Sequence, residues 1–121
     1  MLALHDLFEA TLRAKGCEAL VIHFLHSYAN PGHERATMAE VQKLWPEVSV
    51  VSSHQITREW REYERTSTTV VNAFVKPVVD RYLASVEEGV KRIGIGAPLM
   101  VMQSSGGIAK ADTARQFPAY C

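Results

Sequence analysis

The chain has 121 residues, room for one modest core, and its 47% hydrophobic and 21% charged content is ordinary for a soluble globular protein. Thirteen basic residues balance thirteen acidic ones, which excludes a general attraction to nucleic acid or to an anionic membrane. No apolar run approaches the roughly 20 residues that cross a bilayer. The N-terminal stretch carries His5, Asp6 and Glu9 among its apolar positions and lacks the basic start of a signal peptide. Two cysteines, Cys17 and Cys121, read as free thiols in a reducing compartment. These features point to a cytoplasmic protein.

Leu4, Leu7, Phe8 and Leu12 recur at helical spacing, and Gly16 stands where that helix should stop. The run centred on Ala19 to Leu25 is continuously apolar, which predicts a strand covered on both faces, as in a parallel sheet. In "NPGHE", Asn30 suits an N-cap and Pro31 the first helical position. Met38, Val41, Leu44 and Trp45 mark one face of the following helix, and Pro46 ends it. "VSVVSS" reads as a second short strand.

From Val71 onward, Phe74, Val75, Val78, Val79, Tyr82, Val86, Val90 and Ile93 hold a 3.6-residue period, the strongest periodic signal in the chain. Pro77 falls inside it and predicts a single kinked helix. Gly94 and Gly96 close that helix, "APLMVM" is a third strand, "QSSGG" its exit loop, and a short helix follows near Ala111 to Phe117. Alternation of this kind predicts an α/β fold with mostly parallel short strands. Three short strands leave sheet edges that something else must cover, the first sign of a larger fold.

Two stretches are candidate sites. Gln103, Ser104, Ser105, Gly106 and Gly107 would sit at the carboxyl end of a strand, where open α/β sheets gather ligands. Glycines let a backbone approach a ligand, and the amide and hydroxyls supply donors and acceptors. The stretch is no P-loop, since no lysine directly follows the glycines and the "GxxxxGK" spacing is absent.

The second stretch is "REWREYERTSTTVVNAF", residues 58 to 74. Its front half mixes charges of both signs, as a solvated helix start does. Its back half sets Thr66, Ser67, Thr68 and Thr69 in a row, against helical propensity. Their hydroxyls either serve a ligand or bond back to helix carbonyls, and composition does not choose. His23 and His26 would point to opposite faces of a strand, and His5, His33 and His54 have no carboxylate or thiol at ligand spacing, so no metal site is expected. Neither a "GxSxG" elbow nor a paired Cys and His arrangement is present.

Three strings, "LHSYANPGHE" (25 to 34), "REYERTSTTVVNAFVKPVV" (61 to 79) and "APLMVMQSSGG" (97 to 107), together resemble the hydantoinase A/5-oxoprolinase family, in the same order and at that family's spacing. The resemblance implies an ATP-dependent subunit with an actin-like nucleotide-binding fold that opens cyclic amides such as hydantoins or 5-oxoproline. Such rings are poor electrophiles, and phosphorylating the amide oxygen would make a leaving group. Other relatives are ketone carboxylases, and many act with a hydantoinase B-like partner. The family's "DxGGTxTD" and "SGPAGG" phosphate loops are absent from these residues.

The resemblance therefore implies an internal piece of a larger chain, with residues 1–57 ending an N-terminal domain and 58–121 starting the main domain. It places Gln103 to Gly107 near substrate or nucleotide, and Glu64, Arg65, Thr66, Thr69 and Asn72 in the adjoining cleft or an interdomain contact. ATP and Mg2+ are expected in the full-length protein and not on this piece alone. Phe74 stands where relatives often have tyrosine, and Lys110 where a serine cap is common. The alternatives are an interaction module that kept the scaffold and lost the chemistry, or a piece of a related ATP-dependent ketone carboxylase subunit.

Overall fold

The computed structural model describes residues 2–120, and side chains from residue 8 to residue 119. Cys121 and the side chains of Leu4 and Leu7 therefore lie outside the described residues. In chain order the elements are α1 (Leu2–Ala14), β1 (Ala19–Ile22), α2 (Gly32–Leu44), β2 (Ser49–Ser52), α3 (Ser53–Ile56), α4 (Glu62–Arg92), β3 (Met100–Met102), β4 (Ile108–Lys110) and α5 (Ala111–Gln116). A 3-10 turn at Pro118–Tyr120 follows. The residues divide into two compact units, Met1–Ala73 and Phe74–Cys121, with α4 passing through the division.

In the first unit, β1 and β2 pair in parallel with Ala19 opposite Ser49 and Ile22 opposite Ser52. Parallel strands require a crossover, and α2 supplies it. The expected parallel pair is present, but β1 is shorter than the apolar run and only Ile22 in it is buried. The expectation of a strand covered on both faces is thus corrected. His23 and His26 lie beyond β1, in the loop leading to α2. The core of this unit is Ile22, Trp45, Val48, Val51, Ile56 and Ala73.

Helix ends follow the expected chemistry unevenly. Gly16 takes φ +70 after α1, its amide reaching Arg13 O at 2.9 Å while the Cys17 amide reaches Leu12 O at 3.3 Å. This is a Schellman closure, and Gly94, with φ +85, repeats it at the end of α4. At the start of α2 the capping position is Pro31, with no side-chain cap, one residue later than expected. Asn30 instead accepts a bond from the Gly32 amide at 3.1 Å, turning the chain into the helix.

The long periodic segment is one helix of 31 residues that continues through Pro77. It begins at Glu62, so the threonine row lies inside it. Much of its apolar stripe faces outward, with Phe74, Val78 and Tyr82 at 80%, 58% and 66% exposure.

In the second unit the third strand does not join the parallel pair. β3 and β4 form an antiparallel hairpin, with Met100 opposite Lys110 and Met102 opposite Ile108. The expected exit loop from a parallel strand is therefore a hairpin turn. The physical reason lies at Gly106, whose φ of +89 lets the chain reverse. The Gly106 amide reaches Gln103 O at 2.9 Å, and the Gln103 amide reaches Gly107 O at 2.7 Å. α5 then packs Ala111 and Ala114 inward, with Lys110 at its uncapped N-terminus.

Candidate functional site

The first unit buries its polar groups around one loop, residues 23–31, between β1 and α2. Two charged side chains with no exposed surface, Glu34 and Arg65, hold that loop from opposite elements. Neither charge survives burial without partners, and each has several.

Glu34 lies in the first turn of α2, where the helix dipole favours a negative charge. Its Oε1 accepts from the Phe24 amide at 2.9 Å and from Ser53 Oγ at 2.6 Å. Its Oε2 accepts from Ser52 Oγ at 2.9 Å, from the His54 amide at 3.0 Å and from His54 Nδ1 at 2.9 Å. Ser27 Oγ lies 3.1 Å from Ser53 Oγ and so ties the loop to the same group. Burial alone would raise the Glu34 carboxyl, but the Ser53 hydroxyl and the His54 and Phe24 amides, with help from Ser27, hold it down to about 2 from 4.5.

Arg65, one turn into α4, sends Nη2 to Phe24 O at 2.9 Å and Nη1 to Glu59 O at 3.2 Å. It also pairs with Glu62 and directs Nε and Nη2 at His23 Nε2, 3.3 and 3.2 Å away. Its guanidinium lies 5.5 Å from the centre of the Tyr28 ring. Glu62 in turn accepts from the His26 amide at 3.2 Å. Burial pushes the Glu62 carboxyl up, but the His26 amide and the charges of Arg65 and His23 outweigh it and lower its pKa. His26 takes φ +58, uncommon for a residue with a side chain, and its carbonyl accepts from the Ala29 and Asn30 amides.

A serine, a histidine and a glutamate in contact invite comparison with a catalytic triad, and the geometry refutes it. Ser52 and Glu34 both contact Nδ1 of His54, whereas a triad puts the serine on Nε2 and the acid on Nδ1. The hydroxyls of Ser52 and Ser53 donate to the carboxylate, and Ser52, Ser53 and Glu34 have no exposed surface for a substrate to reach. The cluster positions a loop.

The candidates from the second stretch divide between α4's two sides. Arg65, Thr69 and Asn72 are fully buried, Thr66 is half-buried, and Glu64 pairs with Arg61 at 3.3 Å near the surface. Of the two uses open to the threonine hydroxyls, Thr66 and Thr69 take the second: they bond back to Glu62 O at 2.7 Å and Arg65 O at 2.6 Å. The candidates Gln103 to Gly107 form the hairpin turn of the second unit, with Ser104, Ser105 and Gly106 exposed. The Gln103 and Gly106 amides are satisfied by carbonyls of the same turn, so they do not form an anion-binding nest.

Residues that the sequence did not single out are Glu34, His54, Ser27, Ser52, Ser53, His23 and Glu62. The available signal was the density of polar residues in "LHSYANPGHE" beside an apolar strand. Beside the loop, an open apolar groove of about 430 Å³ runs along β1 between α1 and α2, lined by Leu12, Leu20, Ile22, His23, Val41 and Leu44 among others. Among the described residues, no group of three potential metal ligands converges.

Residues 65–121 match the family described as Hydantoinase/oxoprolinase. An uncharacterized protein of Methanocaldococcus jannaschii is 44% identical over 108 residues, covering 89% of this chain and 16% of that protein. The caprolactamase subunit alpha of Pseudomonas jessenii is 39% identical over 104 residues, covering 86% of this chain and 15% of that one. The crystal structure of the ATP-dependent caprolactamase from the same organism matches 98% of this chain and 18% of its own, with a TM-score of 0.85 at 33% identity. A nucleotide-free acetone carboxylase structure matches 96% of this chain and 17% of its own, with a TM-score of 0.71 at 25% identity. The chain thus spans less than a fifth of the relatives it matches.

Proposed function

Because this chain belongs to the hydantoinase/oxoprolinase family, we propose that it serves within a larger ATP-dependent enzyme that opens cyclic amide rings at their C–N bond. The observation that carries this reading is its match to ATP-dependent caprolactamase over 98% of its residues at a TM-score of 0.85. A lactam, a hydantoin and 5-oxoproline share an unstrained cyclic amide, a poor electrophile whose opening is coupled to ATP.

In the hairpin turn the Gln103 and Gly106 amides are already bonded to carbonyls of the same turn, and no lysine directly follows the glycines, which supports a phosphate cradle supplied elsewhere. ATP and Mg2+ are accordingly assigned to phosphate loops elsewhere in a family-length protein of actin-like fold. This chain's contribution is scaffolding, with the exposed Ser104 and Ser105 hydroxyls of the hairpin turn facing substrate or nucleotide. Glu64, Arg65, Thr66, Thr69 and Asn72 shape the adjoining cleft or interdomain contact. We keep the boundary between the two family domains near residues 57 and 58, in the irregular link between α3 and α4. A hydantoinase B-like subunit is the expected partner, as the caprolactamase relative is itself a subunit alpha.

A second reading, a subunit of an ATP-dependent ketone carboxylase, is favoured by the acetone carboxylase match. One experiment separates the two. A family-length protein containing this segment, with its partner subunit, is offered caprolactam, hydantoin, 5-oxoproline, or acetone with bicarbonate, while phosphate release is followed. Release with a cyclic amide and ring-opened product supports the first reading. Release only with acetone and bicarbonate establishes the second, and release with none contradicts both.

A further inference from the structure

The Arg65 clasp contains a conflict at a single atom. Nε2 of His23 lies 3.3 and 3.2 Å from Arg65 Nε and Nη2, and 3.1 Å from Glu62 Oε2. A guanidinium only donates and a carboxylate only accepts. One imidazole nitrogen therefore cannot satisfy both at once. Bare, it accepts from Arg65 and faces the Glu62 oxygen without a proton between them. Protonated, it donates to Glu62 and turns an N–H and a positive charge on Arg65.

From this geometry we infer that His23 is a proton-operated switch on the 23–31 loop, carrying its neutral-form proton on Nδ1 and passing Nε2 from Arg65 to Glu62 when it is protonated. The consequence is local and specific. Glu62 is the acceptor that holds the His26 amide in its left-handed turn, and Arg65 is the donor that holds Phe24 O. Protonation sets a second cation beside Arg65 and gives Glu62 a third donor, so the bonds to Phe24 and His26 readjust together.

The other charged groups around His23 do not resolve the conflict. Glu9 of α1 lines the same groove but is paired with Arg13 at 2.5 Å. Glu34 of α2 spends its oxygens on Phe24 and on Ser52 to His54. Tyr28 meets Arg65 with its ring face. Imidazole is the side chain whose charge changes near neutral pH as a class, and the device is built on that change. It does not depend on which substrate the family-length protein takes.

Nitrogen-15 NMR of the labelled chain tests this between about pH 8 and about pH 5.5, the range in which imidazoles gain a proton. The expected result is an Nδ1–H tautomer for His23 at the upper pH. On acidification, the Arg65 Nε–H resonance and the residue-26 amide held by Glu62 should shift with the same midpoint as the His23 ring. The shared transition should persist in His26→Asn, which keeps a residue tolerant of positive φ and removes the neighbouring imidazole. It should vanish in His23→Gln. An Nε2–H tautomer in the unaltered chain at the upper pH would overturn the inference by itself, whether or not the variants fold. So would a transition at Arg65 that survives His23→Gln.

Discussion

Glu34 and His54, 20 residues apart in sequence, meet through two bonds to one carboxylate oxygen, from the His54 amide at 3.0 Å and from its Nδ1 at 2.9 Å. A carboxylate cannot donate, so the Nδ1 contact requires a proton on that nitrogen. This pair joins the start of α2 to the first turn of α3, just beyond β2, and through Phe24 and Ser27 it fixes the loop between β1 and α2. Folding here depends on a buried negative charge.

Acid should therefore loosen the first unit in a defined window. The folded-state Glu34 pKa, about 2, lies below its ordinary 4.5, so its stabilisation is complete above about 4.5 and is lost as pH falls toward 2. The contribution is on the order of 3 kcal/mol. Urea midpoints measured across this window should fall with pH, and Glu34→Gln should flatten that fall while lowering stability throughout, since an amide brings two donors to a site built from donors.

Arg65→Lys should also be costly, although it keeps the charge. A lysine cannot reach Phe24 O, Glu59 O, His23 and Glu62 in the planar fork that Arg65 uses. A loss of about 2–4 kcal/mol is expected from the unpaired buried acceptors. Chemical denaturation checks it, and a change below about 0.5 kcal/mol, the range of an ordinary surface substitution, would show that the fork is not engaged.

Pro77→Ala should stabilise the chain. Pro77 has no amide to give the Ala73 carbonyl, yet α4 continues through it. Alanine restores the donor with the best helical propensity, a gain of about 1–3 kcal/mol. A rise in thermal midpoint is the expected reading.

Gly106→Ala should cost about 1 kcal/mol or more, because φ there is +89 while nothing stands within 4 Å of an added Cβ. The loss is thus backbone strain alone. Gly106→Asn should lose less, since asparagine tolerates positive φ. Equal losses in thermal melts would point to side-chain crowding instead.

Much of the architecture was legible because it rests on local chemistry. The Schellman glycines, Gly16 and Gly94, announce two helix ends, and the stripe from Val71 to Ile93 announces the long helix through Pro77. β4 was not legible, as "IAK" is three residues long and carries no alternation a reader could count. "QSSGG" looks alike as a strand exit and as a hairpin turn, and the φ of Gly106 decides between them. The buried clasp was hidden for a different reason. His54 has no carboxylate near it in sequence, and its partner arrives only when β2 pairs with β1 and brings Ser52 to His54 beneath α2. The same burial explains why Thr66 and Thr69 sit in a helix against propensity, with hydroxyls returned to carbonyls of their own helix.

We propose that this chain is scaffolding for a nucleotide-dependent site whose phosphate loops lie outside these residues. Titration calorimetry with ATP and Mg2+ tests it directly, on this chain and on a family-length protein that contains it. Binding by the longer protein alone is the predicted result. Binding of ATP by the 121-residue chain at a defined stoichiometry would contradict the account, and would make the hairpin turn from Gln103 to Gly107 a nucleotide site in its own right.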